Sequence, residues 1–217
     1  MGVRRTPAGF GVMVAFVVLS ASRADASLLF AATAGGVQVC AADNNVVCTF
    51  GLVLIDTDPA VGSIRLASNN IGGLVIEGSL HTQDLAPPLN VLSSASLSIQ
   101  NTTGAAVAFS AVVSATHFAG PVDTTFTTGS VTWVAAAGST ISLKWYNDPA
   151  NAQGAETNAD RPGLLVHDSS LNLASGPGHC SFSVNGGPFK VANPVSFSMT
   201  LAVDAVITAG GSLISGG

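Results

Sequence analysis

Charged side chains are scarce in this chain. Asp, Glu, Lys and Arg together make up 9% of its 217 residues, and only 7 residues are Lys or Arg, against 12 Asp or Glu. Ordinary globular proteins carry roughly a quarter charged residues. So few cations cannot form a basic patch, because phosphate binding requires several Lys or Arg side chains. We therefore expect no nucleic-acid partner and no attraction to an anionic membrane surface.

Long hydrophobic runs are also missing. The longest, Phe10 to Leu19 (FGVMVAFVVL), is shorter than the roughly 20 apolar residues of a membrane-spanning helix. Arg4 and Arg5 precede it, and Ala24-Asp25-Ala26 places small residues at the −3 and −1 positions of a cleavage site. This pattern predicts a secretory signal peptide over residues 1–26, with a retained anchor as the alternative. We expect a secreted, extracellular protein without a membrane span in its mature chain.

Cleavage after residue 26 leaves a chain that is acidic but rich in apolar residues. Residues 27–217 hold four basic and eleven acidic residues, a formal net charge of −7. Hydrophobic residues make up 47% of the whole sequence, enough to bury a substantial core. No internal repeat or linker divides the segment, which predicts a single domain over 27–217.

Cysteine is rare, with three residues: Cys40, Cys48 and Cys180. In an oxidising compartment we expect two of them to pair, and three cysteines allow three different single bridges. The Asp43-Asn44-Asn45 turn signal separates Cys40 from Cys48, which predicts a hairpin with one cysteine on each arm. We favour a Cys40–Cys48 disulfide, which leaves Cys180 either as a buried free thiol or as a cap on a neighbouring strand.

Apolar residues alternate with polar or small ones through most of the mature chain, as at Val107 to Val113, Ile141 to Trp145 and Phe197 to Val203. This period of two indicates strands with one face on a core. It predicts an all-β fold, an antiparallel β-sandwich with jelly-roll-like character. The same alternation predicts that the side chain of His117 is partly buried. Further predicted strands cover 28–34, 46–55, 62–68, 73–82, 95–100, 124–134, 164–172 and 180–185. The predicted core holds Phe109, Trp133, Trp145, Phe182, Phe197 and Met199.

The longest polar stretch runs from Tyr146 to Pro162 (YNDPANAQGAETNADRP). A loop of this length is typically functional, mobile or fixed by a ligand, and Pro149 to Glu156 is the nearest candidate for a helical turn. The stretch offers hard oxygen ligands of the kind that calcium prefers, at Asp148, Asn151, Glu156 and Asp160. The alternative is a solvated loop with Asx-turns, because no EF-hand spacing is present. Calcium is the only cofactor that the sequence indicates.

Catalytic patterns are absent from the sequence. It contains no G-x-S-x-G elbow, no H-E-x-x-H and no C-x-x-C. Only two mature glutamates, Glu77 and Glu156, could serve a glycosidase, and Glu77 shares a polar strand face with Ser79 and His81. Tyr146 opens the polar loop and is a candidate contact for a sugar, whereas Trp133 and Trp145 are in phase with core residues.

Two C-terminal segments carry a family resemblance. Ser139 to Leu165 includes Tyr-Asn-Asp-Pro-Ala-Asn, and Gly187-Pro188-Phe189 and Val195 to Thr200 (VSFSMT) follow it. Together they resemble exported bacterial β-domain proteins of the PEP-CTERM type, which an exosortase system sorts. The chain differs from these proteins at its end, since Ile214 to Gly217 shows no Pro-Glu-Pro motif, apolar helix or terminal arginines. The resemblance implies an extracellular or matrix role, with free secretion or a truncated sorting tail as the alternatives.

These observations support three hypotheses of different classes. The leading one is a secreted, non-catalytic structural or adhesive protein of the cell surface or matrix, with extracellular polysaccharide or other matrix proteins as partners. The second is a carbohydrate-binding module that uses Tyr146 and its loop. The third is a secreted hydrolase of unfamiliar type.

Overall fold

A computed structural model describes residues 27–43, 48–84, 90–134, 137–169, 172–173 and 179–216. The predicted signal peptide, residues 1–26, lies outside this range. Within it the chain forms fourteen strands and no α-helix. The strands are assigned to two sheets, which we call sheet A and sheet B.

Sheet A contains eight strands in the order β10-β9-β13-β7-β1-β2-β3, with β11 also paired to β9. Its strands are β1 (Leu28–Ala34), β2 (Val37–Ala42), β3 (Leu52–Val53), β7 (Val107–Phe118), β9 (Thr140–Asp148), β10 (Leu164–Asp168), β11 (Asn172–Leu173) and β13 (Phe197–Ile207). All of its pairings are antiparallel except the short β2–β3 contact.

Sheet B contains six strands in the order β12-β8-β14-β6-β5-β4, all paired antiparallel. Its strands are β4 (Ser63–Ile71), β5 (Leu74–Asp84), β6 (Asn90–Asn101), β8 (Val122–Val134), β12 (His179–Asn193) and β14 (Ser212–Gly216). From β6 onward, consecutive segments of the chain alternate between the sheets: β6 in B, β7 in A, β8 in B, β9 to β11 in A, β12 in B, β13 in A and β14 in B. This winding confirms the predicted antiparallel, jelly-roll-like sandwich.

The two C-terminal strands complete the middle of both sheets. β13 lies between β9 and β7 in sheet A, and β14 lies between β8 and β6 in sheet B. Each strand therefore joins two halves of its sheet that have no other pairing between them among the described strands.

A single core cluster fills the space between the sheets and draws on both of them. Phe109, Trp133 and Phe197 are buried, as the alternation predicts, whereas Trp145, Phe182 and Met199 are partly buried at its margin. His117 is exposed, contrary to the prediction. It has a positive φ of 65°, and the β13–β7 register shifts between the Phe197–Phe118 and Met199–Ala115 pairs, so the alternation breaks at this residue.

The disulfide prediction is confirmed, but the predicted hairpin is wrong. Cys40 and Cys48 are bonded, with their Cα atoms 6.2 Å apart. β3 runs parallel to β2, with Val39 opposite Leu52, whereas the second arm of a hairpin would run antiparallel to the first. Of the strand predicted over 46–55, only Leu52–Val53 is a strand in the described part, and both side chains are exposed.

Two further outcomes concern helices. Pro149 to Glu156 forms no helical turn, and Asn151 and Ala155 have positive φ values of 58° and 62°. Among the residues that the structure describes, no helix is long and apolar enough to cross a membrane.

Removal of the disulfide tests its contribution to stability. We expect the Cys40→Ala/Cys48→Ala variant to lose about 2–3 kcal/mol of unfolding free energy, because the bridge restricts a short loop in the unfolded chain. Urea denaturation of the oxidised protein and the variant measures this difference. An unchanged midpoint would contradict the assigned contribution.

Candidate functional site

The described part of sheet B contains a gap between β6 and β8, next to the segments that pair with β14. β14 pairs with Leu97 to Gln100 of β6 and with Ser130 to Val134 of β8. β6 continues from there back to residue 90, and β8 back to residue 122. Among the described strands, none lies between residues 90–96 of β6 and residues 122–129 of β8. Both segments therefore present an open edge toward the gap.

The gap opens onto a groove of about 360 Å³, which we call the gap groove. Its walls are the two open edges of sheet B, and its floor is sheet A. Four apolar residues lie in the floor, Trp145 of β9 and Phe197, Met199 and Leu201 of β13, and the polar residues Asn147, Asn193 and Thr200 also line the groove. No described lining residue has an acidic or basic side chain. The groove therefore suits an uncharged ligand with apolar groups.

Gly129 of β8 lies close to the side chains of sheet A. A Cβ atom built at this glycine would lie 2.8 Å from Cδ1 of Leu143 and 3.2 Å from Cζ2 of Trp145. A larger residue at this position would require these side-chain ends to shift. The glycine therefore allows β8 to approach the indole closely.

A ring stack closes one side of the groove. The His167 ring of β10 stacks on Trp145, with centroids 5.1 Å apart and planes at 17°, and it also contacts Phe189 of β12 at 5.2 Å. Nδ1 of His167 lies 2.6 Å from Oγ1 of Thr127 on β8. A Cβ atom at Gly186 would clash with the imidazole, so the backbone of β12 approaches the ring closely. The stack links the edge strands of both sheets.

Two buried asparagines form a second link between the sheets. Nδ2 of Asn147 donates to Oδ1 of Asn193 at 2.8 Å, and Nδ2 of Asn193 donates back to Oδ1 of Asn147 at 2.9 Å. Both residues line the gap groove. Because the amides satisfy each other, β9 and β12 are held at a fixed separation beside the groove.

The far end of the gap is closed by a separate contact. Nδ2 of Asn90, at the start of β6, donates to the carbonyl oxygen of Ala119 at 2.8 Å. At the other end of the gap lies β14, whose last described residue is Gly216. The gap groove therefore lies along the line of β14.

The polar loop predicted as a ligand site lies elsewhere, across the outer face of sheet A. We call residues 149–163 the covering loop. The Gly154 amide donates to Oγ of Ser114 at 3.1 Å, and Ala155 is buried against Ala31, Val112 and Ala202. The sheet itself therefore holds this loop.

An ion pair anchors the C-terminal part of the covering loop. Nη2 of Arg161 donates to both carboxylate oxygens of Asp204, at 3.0 and 3.1 Å, and Oγ of Ser110 donates to Asp204 at 2.7 Å. Burial lowers the pKa of Arg161, but its bonds to Asp204 and Tyr146 outweigh this and raise that pKa overall. The side chain of Tyr146 packs beneath the loop, among its apolar contacts.

Three of the four candidate calcium ligands accept hydrogen bonds from different backbone amides, within or beside the covering loop. Asp148 accepts the amides of Ala150 and Ala152, Asn151 accepts the amide of His117, and Asp160 accepts the amide of Glu156. In the described part of the chain, no three His, Cys, Asp or Glu residues form a group that could hold a metal ion. A calcium site that also uses Asn151 stays a prediction.

A second, shallow groove on the outer face of sheet B is polar. It is lined by Asp58, Arg65, Glu77, Ser79 and His81, which agrees with the polar face predicted for β5. Oγ of Ser63 donates to Asp58 at 2.7 Å and lies 2.9 Å from Nδ1 of His81. Because the hydroxyl has one proton, Nδ1 of His81 is the donor in the second contact.

Glu77 and Glu156 lie on opposite faces of the sandwich. Glu77 is on the outer face of sheet B, and Glu156 is in the covering loop outside sheet A. Paired carboxylates of a glycosidase stand roughly 5–10 Å apart across one bond. These two glutamates therefore do not form such a pair.

Comparisons with known proteins assign no family to this chain. No protein-family model matches the sequence, and no curated protein matches it. Among solved structures, the chain is similar to the carbohydrate-binding module TmCBM61 in complex with β-1,4-galactotriose. The TM-score is 0.34 and the identity 11%, over 63% of this chain and 77% of that one.

Two further solved structures are similar at a comparable level. The enzymatically active domain of bacteriophage CBA120 tailspike protein 4 has a TM-score of 0.30 and 15% identity, over 76% of this chain and 21% of that one. The infectious bursal disease virus Gx strain structure has a TM-score of 0.25 and 12% identity, over 98% and 54%. Similarities this low carry no functional argument, so the site is interpreted from its own geometry.

The Asp58 network gives a prediction about pH. Hydrogen bonds from Ser63 and from the Ala60 amide lower the pKa of Asp58. A carboxyl with a lowered folded pKa stabilises the protein above its unfolded pKa of about 3.9, and that contribution is lost as the pH falls through the folded value. We expect Ser63→Ala to raise the pKa of Asp58, as measured by NMR titration of its carboxyl carbon.

Ser79→Ala is the matched control, because Ser79 lines the same groove and its hydroxyl contacts Ser96. We expect the control to leave the Asp58 titration unchanged. An Asp58 pKa that is the same in Ser63→Ala and the wild type would show that another group sets it.

Proposed function

We propose that the protein is a secreted, non-catalytic binding module with a structural or adhesive role at the bacterial cell surface or in the extracellular matrix. The single observation that carries this proposal is the gap groove, a groove of about 360 Å³ with a largely apolar floor and with walls formed by β6 and β8. Its described lining offers no acid, base or charged nucleophile, which favours binding over bond cleavage. The predicted signal peptide and the low charge of the chain favour an extracellular location.

The proposed partners are other matrix proteins or extracellular polysaccharide. Unpaired strand edges are used in protein association because their N–H and C=O groups accept an additional strand. The disulfide between Cys40 and Cys48 fits an oxidising compartment. Kinship with exported proteins of the PEP-CTERM type remains part of the proposal, supported by the Tyr146-to-Asn151 motif where the covering loop begins.

Filling the groove tests this role. We expect Met199→Trp to place an indole over the floor of the gap groove and to release the protein from the surface of the producing cells into the medium. The control is Thr132→Trp, at an exposed position on β8 beside β14. Immunoblots of the medium, surface and cytoplasmic fractions measure the distribution of each full-length chain. Equal distributions of all three proteins, or retention in the cytoplasm, would contradict the proposal.

Carbohydrate binding is the second candidate function. Trp145 in the floor supplies an aromatic surface, and the threonine-rich edge of β8 supplies neutral hydroxyls, a combination that suits an uncharged sugar. On an array of neutral oligosaccharides we expect binding that Met199→Trp abolishes. Tyr146 lines the gap groove as well as packing beneath the covering loop, so Arg161→Ala, which alters only the anchor of the loop, distinguishes the two possible locations. A loss caused by this variant alone would move the sugar site to the covering loop, and the absence of any bound glycan would remove this candidate.

A further inference from the structure

We propose that the polar groove on the outer face of sheet B binds a cationic polysaccharide, whose sugar units carry free amino groups as well as hydroxyls. This inference rests on the proposed binding role, and it names a partner class for a second surface that shares no lining residue with the gap groove. The polar groove has a volume of about 530 Å³ and crosses β4, β5 and β6. Because it is shallow, it suits a polymer that lies across the strands better than an enclosed small molecule.

Glu77 supplies a carboxylate that is available to a ligand. Its side chain is exposed on β5, opposite Ser98 of β6. Within the described part of the chain, this carboxylate forms no hydrogen bond and no ion pair. Its oxygens can therefore accept N–H groups of a ligand ammonium, and the hydroxyl of Ser98 can accept another.

His81 supplies a second acceptor whose orientation is fixed. Ser63 donates its hydroxyl proton to Asp58, so Nδ1 of His81 is the donor toward Ser63. In the neutral imidazole, Nε2 then carries the lone pair and accepts a hydrogen bond. Glu77 and His81 both line the groove, and four residues of strand separate them by roughly 14 Å. Acceptors repeated along one strand suit successive amino groups of a polymer.

The charge around the groove favours a cationic ligand. The hydrogen bond from Ser63 is the main cause of the lowered pKa of Asp58, so this side chain is negatively charged at neutral pH. Arg65 is the only Lys or Arg in the described lining. The whole chain also has a formal net charge of −5. The local charge and the field of the whole protein therefore both attract cations.

The remaining lining residues favour a polysaccharide over a basic peptide. Ser79 and Ser96 face each other across β5 and β6, with their hydroxyl oxygens 3.5 Å apart, and Arg65 is opposite Ser79 on β4. The guanidinium donates hydrogen bonds that sugar hydroxyls accept, whereas it repels a lysine side chain. The described lining contains no Trp, Tyr or Phe on which a neutral sugar could stack, so the amino groups supply the attraction.

Two matched oligosaccharides test the inference. The probe is a hexamer of glucosamine, and the control ligand is the hexamer of N-acetylglucosamine, which has the same sugar backbone without the positive charges. Isothermal titration calorimetry measures binding to the purified protein in dilute buffer, at a pH at which the amino groups of the probe are protonated. We expect the glucosamine hexamer to bind with an affinity that falls as salt is added. No binding of this hexamer would overturn the inference.

Two substitutions locate the site. Glu77→Gln and Glu156→Gln each remove one negative charge, but Glu156 lies in the covering loop on the opposite side of the sandwich. We expect Glu77→Gln to weaken binding of the glucosamine hexamer by about fivefold, and Glu156→Gln to leave it unchanged. Binding of the acetylated hexamer should not depend on Glu77. Equal effects of the two substitutions, or an equal effect of Glu77→Gln on both hexamers, would contradict a site for amino groups in the polar groove.

A lysine hexamer separates the polysaccharide from a basic peptide. We expect it to bind more weakly than the glucosamine hexamer, because it has no hydroxyls for Arg65 and the serines. If it binds as tightly, with the same dependence on Glu77, the polysaccharide is the wrong partner class.

Failure of this inference is distinguishable from failure of the proposed function. If the glucosamine hexamer does not bind but Met199→Trp still releases the protein from the cell surface, the polysaccharide site is wrong and the binding role stands. If the hexamer binds as expected but Met199→Trp leaves the distribution of the protein unchanged, the polysaccharide site stands and the role of the gap groove is wrong.

Discussion

The sandwich depends on the strand ladders made by its last two strands. β13 is hydrogen-bonded to β9 and β7, and β14 is hydrogen-bonded to β8 and β6. Each ladder joins two halves of a sheet, and β13 and β14 also contribute Val203, Ile207 and Leu213 to the shared core. Backbone pairing and apolar burial therefore depend on the same short segment of chain.

The groove lies over the start of β13, next to the described end of β14. β13 spans 11 residues and runs the full depth of sheet A, whereas β14 spans 5. Beyond that described end, the start of β13 lies between the edges of β6 and β8, and its side chains form part of the groove floor. The stack of His167 on Trp145 and the Asn147–Asn193 pair hold the surrounding strands in place. The groove is thus framed by specific contacts between the two sheets.

The sequence predicts most of the fold because alternating side chains report which face of a strand is buried. This period predicts the strand over 28–34 and the burial of Phe109, Trp133 and Phe197. The prediction fails at His117, where the register shifts, and over 46–55, where the chain forms only a short parallel pair at the sheet edge. The alternation of side chains reports only the local geometry of a strand. It therefore does not reveal irregular strand pairing or apolar residues that are exposed.

The sequence predicts the site less well than it predicts the fold. The polar stretch from Tyr146 to Pro162 draws attention by its composition, yet the structure uses it to cover sheet A through Ser114 and Asp204. The gap groove is lined by ordinary strand residues that carry no motif. It follows only from the pairing of β14 with strands about a hundred residues earlier in the chain.

Amide hydrogen exchange of the unliganded protein, followed residue by residue by NMR, tests the central claim most directly. Within residues 91–96 and 122–129, the amides that point toward the gap should exchange rapidly, while alternate amides bonded to β5 and β12 should be protected. The β14 ladder at residues 97–100 and 130–134 should be protected on both sides. Uniform protection across both segments would mean that the gap is closed in solution, and would contradict the account.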